Sequence, residues 1–153
     1  MVRWCYHRVG DSEDRALWID FEKIFEENNF GRQIDYLQLD IEPQIQTLNC
    51  LKQLPLDKYR FSVITYETDL YDKSAGHEES LKNRDESRAF LLSHGYELVV
   101  GNIANNNPDE IFEDWYVDPT AIDKNILDIM RNSSEYNNTA ESYMLNLWFL
   151  LNN

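Results

Sequence analysis

Four carboxylates close two apolar segments. Residues 34 to 44, IDYLQLDIEPQ, run like a buried strand and stop on Asp40 and Glu42, and residues 61 to 69, FSVITYETD, stop on Glu67 and Asp69. In open α/β sheets the carboxyl end of a parallel strand is the crevice where ligand chemistry sits. For Asp40 and Glu42 the chemistry is acceptor binding, proton abstraction from a hydroxyl, or a divalent ion held together with Glu67 and Asp69. Asp40 and Glu42 are two apart on an extended segment, so their side chains face the same way. Acidic residues also favour the positive end of a helix dipole, which leaves capping of a following helix open for both. Glu67 at a second strand end favours the ligand reading, because capping alone does not account for two such ends. His77 lies in a polar stretch, either as a general base near neutral pH or as a solvated loop histidine. Trp115 and Tyr116 follow Glu113 and Asp114, either as walls of a substrate pocket or as core residues of a strand. No H-x-x-x-H or C-x-x-C spacing is present, so the residue pattern sets out no metal site.

These residues need elements to position them. Trp18, Phe21, Ile24 and Phe25 recur at helical spacing and predict a helix over 17–28. A strand over 35–40 follows, then a helix over 45–54 that Pro55 ends. The β-branched and aromatic run at 61–67 predicts a second strand, 68–83 a polar loop, and 84–94 a helix with Gly95 as its left-handed cap. Residues 96–103 predict a third strand, 105–108 a turn, 115–117 a short fourth strand, and 120–131 and 139–150 two closing helices. This alternation predicts an α/β fold: a mainly parallel sheet with right-handed crossovers and helices on both faces. One domain over 1–153 is expected, with residues 1–16 unassigned.

Composition narrows the partners. A formal charge of -14 argues against a nucleic-acid phosphate backbone, which is held by clustered Lys and Arg. The most apolar stretch, Tyr143 to Leu151, is too short to span a bilayer, and the first residues lead into no signal peptide. With Cys5 and Cys50 the only cysteines, the chain is read as cytoplasmic and reduced.

Residues 35–42, DYLQLDIE, resemble the "hydrophobic strand, D-[IV]-E-G" motif in the second half of the FkbM family of methyltransferases, which use S-adenosylmethionine. The preceding helix, the strand ending ITYE, the GYEL segment at 95–98 and the EDWYVDP segment at 113–119 agree in order, covering roughly residues 17–119. The resemblance implies a partial Rossmann-like, class I methyltransferase-like domain with a small-molecule methyl acceptor. The residue reading adds the candidates: Asp40, Glu42, Glu67 and His77 for catalysis, and Asp69, Trp115 and Tyr116 for the substrate. Two departures stand out. Pro43 replaces the usual glycine, and the glycine-bearing turn that cradles the cofactor's methionine part has no counterpart beyond a lone Gly10 with no strand before it. The chain thus resembles the carboxyl-terminal half of such a domain, with activity lost or dependent on a partner; the alternatives are a non-catalytic binding or assembly module and a small metal-dependent enzyme. A half-sheet keeps an edge strand that needs cover. The residues before 17 and a second copy are the two covers available, the latter through a helix carrying Leu147, Trp148, Leu150 and Leu151, and a homodimer is expected.

Overall fold

The computed structural model describes residues 2–3, 19–71, 76–133 and 139–144. Strands β1 (Val2–Arg3), β2 (Gln33–Leu39), β3 (Arg60–Glu67), β4 (Glu97–Ala104) and β5 (Ile111–Val117) form one sheet in the order β1-β2-β3-β5-β4. Helices α1 (Phe21–Glu27), α2 (Ile45–Gln53), α3 (His77–Ser93) and α4 (Lys124–Ser133) connect or follow them. The fold is α/β, as the sequence predicts, but the sheet is mixed rather than mainly parallel. β1 with β2 and β2 with β3 are parallel, whereas β5 is antiparallel to both β3 and β4. The cause is connection length. Parallel neighbours need a crossover of about a dozen residues or more, and only residues 105–110 separate β4 from β5.

Register sorts the side chains onto two faces. Leu37, Leu39, Ile64, Tyr66 and Tyr116 share one face, and with Leu48, Leu51 and Leu91 they form the larger core beneath α2 and α3. Val63, Trp115 and Val117 share the other face, where Val99, Val100 and Ile103 join Leu127 of α4 and Tyr143. Helices therefore lie on both faces. Phe25 ties α1 to the larger core through edge contacts with Tyr59 and Phe61.

Two element boundaries depart from the sequence reading. The first helix is shorter, because Asp20 caps it by accepting from the Lys23 N–H at 3.0 Å. More consequential, α3 begins at His77 and absorbs residues expected to be loop. Its early residues, HEESLKN, include the helix formers Glu, Leu and Lys but too few apolar side chains to show a period. The carboxyl-terminal part of α3 is fastened by Arg88, whose Nε and Nη2 donate to the two oxygens of buried Asp114 at 2.8 Å each. Arg88 Nη2 also donates to Asn102 Oδ1 at 2.8 Å, in an irregular stretch of β4 where Asn102 has φ 56. Gly101 makes room for this guanidinium, since a Cβ there would stand 3.1 Å from Arg88 Nη2.

Residues 140–144 are helical. The expectations for Trp4, Cys5, Tyr6 and Gly10, and for Leu147, Trp148, Leu150 and Leu151, lie outside the described residues. Among the described residues, no helix is long and apolar enough to cross a membrane.

Candidate functional site

Because β2 and β3 are parallel neighbours with Leu39 level with Tyr66, the chain leaves both strands at one edge of the sheet. Asp40 and Glu67 are the residues that follow. Alternation puts both on the face that carries Tyr36, Gln38 and Thr65, and a 2.8 Å hydrogen bond between Tyr36 Oη and Thr65 Oγ1 spans that face. On the other side of β3, Glu67 lies opposite Glu113 of β5. Glu113 accepts from the indole Nε1–H of Trp115.

Beyond Glu67 the strand pairing is prolonged by bonds from Thr68 N and Tyr71 N to Phe112 O and Ile111 O, at 2.6 and 3.0 Å. Asp69 turns through this segment at φ 47, a left-handed conformation that aspartate tolerates better than most residues. It is buried, at 8% exposure.

The electrostatics follow from crowding. Burial, then the hydrogen bond with Asp40 and the charge of Asp69, push the Glu67 carboxyl up to about 10. Burial raises Asp69, with the charges of Glu42 and Asp40 adding to it and hydrogen bonds from Glu67 and Tyr71 opposing it. Glu113 is raised by burial, against the hydrogen bonds from Trp115 and Thr65. The Tyr71 phenol is pushed up to about 12, by burial first and then by Asp69 and Glu67. None of the ion pairs among the described residues includes Asp40, Glu42, Glu67, Asp69 or Glu113. Glu67 therefore keeps its proton at neutral pH, with Asp40 beside it at the same edge. A hydroxyl or amine placed between them has both a donor and an acceptor.

The capping alternative is not what the structure shows. The N-cap of α2 is Gln44, with no side-chain cap. Thr47 instead serves this turn: its Oγ1 accepts from Ile41 N at 3.0 Å and donates to Ile41 O at 2.7 Å. Asp40 and Glu42 are left to the edge.

Other expected site residues are sorted by the fold. Trp115 shares the face of Glu67 and Glu113, and its ring meets Tyr143 edge-on at 5.5 Å. Tyr116 sits on the opposite face, fully buried, and donates to Asp114 Oδ2 at 3.2 Å. It walls no pocket at this edge. His77 is the exposed first residue of α3. Among the described residues, no hydrogen bond or ion pair joins it to the carboxylates. Glu113 and Tyr71 were not singled out from sequence; for Glu113 the usable signal was its period-two spacing from Trp115.

The fit to S-adenosylmethionine is poor among the described residues. The exits of β2 and β3 read DIEPQ and TDLY, without the glycine that lets a backbone approach the cofactor's methionine end. β1 does supply a strand before Gly10, which the sequence reading lacked. Among the described residues, no group of three His, Cys, Asp or Glu is arranged to hold a metal ion. Set against protein-family models, curated proteins and solved structures, the chain matches none.

Proposed function

We propose that this chain is a Rossmann-like relative of FkbM-type methyltransferases that supplies the acceptor side of a strand-mouth site, with methyl transfer lost or dependent on a partner. Three parallel strands in the order β1-β2-β3, joined by covering helices, are similar to one half of a doubly wound sheet, with the reversed β5 inserted between β3 and β4. The observation that carries the reading is the Asp40–Glu67 pair, brought to one edge and one face from two neighbouring parallel strands, with burial holding the Glu67 carboxyl protonated. Glu67 is the proton donor, Asp40 is the second carboxyl beside it, and Glu42, Asp69 and Trp115 border the place where a small acceptor with a hydroxyl or amine group binds. No step is assigned to a cofactor, because the described residues do not cradle one.

Calorimetric titration with S-adenosylmethionine tests the reading. The isolated chain is expected to give no saturable heat. A micromolar dissociation constant, about -8 kcal/mol, overturns the partner-dependent reading in favour of a self-sufficient enzyme.

A further inference from the structure

Along its length, α3 changes the character of the side it turns inward. Residues 77–87 contain one apolar side chain, half-buried Leu81, and the buried positions are Ser80, Asn83 and Ser87. In residues 88–93 the inward side is apolar: Leu91 is fully buried and Phe90 packs on the core, while Ala89 and Leu92 face outward.

The attachments divide at the same point. From Arg88 onward the helix is held by the two-pronged bond to Asp114 and by Leu91. Before it, the buried contacts are long: Gln44 Nε2 reaches Ser80 O at 3.5 Å, and Asn83 Nδ2 reaches Gln44 Oε1 at 3.3 Å. Arg84 reaches Asn102 at 3.2 Å, and the Lys52–Glu86 pair is exposed; exposed pairs hold little. The N-cap is Gly76, which provides no side-chain cap for the first N–H groups.

Beneath this half of the helix, β3 ends in two buried hydroxyls without partners, Tyr66 Oη and Thr68 Oγ1. Ser87 faces Tyr66 without a well-formed hydrogen bond and gives its own proton to Arg84 O at 2.7 Å. A buried hydroxyl with no partner favours any state in which water reaches it.

We infer that residues 77–87 of α3 are a flap that lifts from the end of β3 about a hinge at the anchored Arg88, carrying Ser87 off the Tyr66 hydroxyl and uncovering Thr68. Lifting exposes little apolar surface and satisfies two polar groups, which are the properties of a segment that opens below the global unfolding free energy. The flap lies on the Tyr66 face of the sheet, whereas Asp40 and Glu67 at the carboxyl edge point to the other face. The inference stands on the helix and its seam alone, whether or not that edge has the function proposed above.

Hydrogen exchange of the full chain, read by peptide mass spectrometry, tests it. After correction for intrinsic rates, amides of residues 81–87 are expected to exchange at least about tenfold faster than those of 89–92 and of β3. Tyr66→Phe removes one unpartnered hydroxyl from the closed state and should slow the flap amides by about 5- to 100-fold. Gln44→Ala removes the buried tether and should speed the flap amides while leaving 89–92 unchanged. Equal protection across 81–92 overturns the flap. So does a Tyr66→Phe variant that slows 89–92 but not 81–87, because the hydroxyl would then be uncovered only in global unfolding. If Tyr66→Phe does not fold, Gln44→Ala decides, and a uniform acceleration of all amides in α3 counts against the hinge.

Discussion

Glu67 and Glu113 stand directly opposite one another in the antiparallel ladder of β3 and β5, with their side chains on one face of the sheet. Like charges in opposed positions weaken a ladder, and burial disfavours both anions. The pairing holds because Glu67 keeps its proton and Glu113 is bonded by the Trp115 indole.

Stability should therefore fall as pH rises. Glu67, Asp69 and Glu113 have raised native pKa values, while in the unfolded chain they ionise near about pH 4 to 4.5. Above that pH the unfolded state binds fewer protons than the native one, so each step upward favours unfolding until the native groups ionise. The urea midpoint is expected to be higher at pH 5 than at pH 8. Glu67→Gln should raise the pH 8 midpoint by about 1 kcal/mol of stability and flatten the slope. A midpoint that climbs from pH 5 to pH 8 would falsify this account.

Replacing Arg88 should be among the most damaging single changes. Asp114 is fully buried, and Arg88 is its ion-pair partner. Stranding a buried charge costs about 3–5 kcal/mol, so Arg88→Ala is expected to lose that much by chemical denaturation. Arg84→Ala, which removes a pair with exposed Asp85 and a 3.2 Å bond to Asn102 but strands no buried charge, should lose less, about 1 kcal/mol. Equal losses would show that the Asp114 pair is not what fastens α3.

Thr47 offers a test of the turn after β2. Thr47→Val keeps the shape but removes the hydroxyl that bonds both Ile41 N and Ile41 O. The expected loss is about 1–3 kcal/mol by thermal or urea melting. No loss would mean that water replaces the hydroxyl at Ile41.

Cys50 should be inert in the native protein. Burial pushes its thiol up to about 11, and its exposure is 7%. Because the thiolate is the reactive form, native Cys5→Ser protein at pH 8 should react with an aromatic disulfide reagent at least about 100-fold more slowly than in urea. Comparable rates in the two conditions would place Cys50 at the surface.

The strand ends were legible because an unbroken apolar run that stops on a carboxylate is visible in one dimension, as at Leu39–Asp40 and Tyr66–Glu67. The direction of β5 was not, since strand orientation leaves no mark on residue type, and Glu113 and Asp114 interrupted the apolar pattern on which the strand was sought. Asp114 is buried only because Arg88, 26 residues away in sequence, neutralises it, a pairing that no local pattern carries. Tyr116 looked equivalent to Trp115, yet alternation sends the two rings to opposite faces. The first half of α3 was hidden for the reason that makes it a flap: it turns serine and asparagine, rather than leucine, toward the sheet.

The place of β5 in the sheet also sets an order of assembly. β4 is made before β5 but does not pair with β3, so the central edge of the sheet stays open until the last strand arrives. The β2-α2-β3 unit and the β4-β5 hairpin each close over short sequence separations, and the slow event is their docking along β3. Until then β3 presents a row of free N–H and C=O groups beside Phe61, Ile64 and Tyr66, a template for pairing with other chains. A nascent polypeptide halted before residue 111 would carry that sticky edge into the crowd around the ribosome.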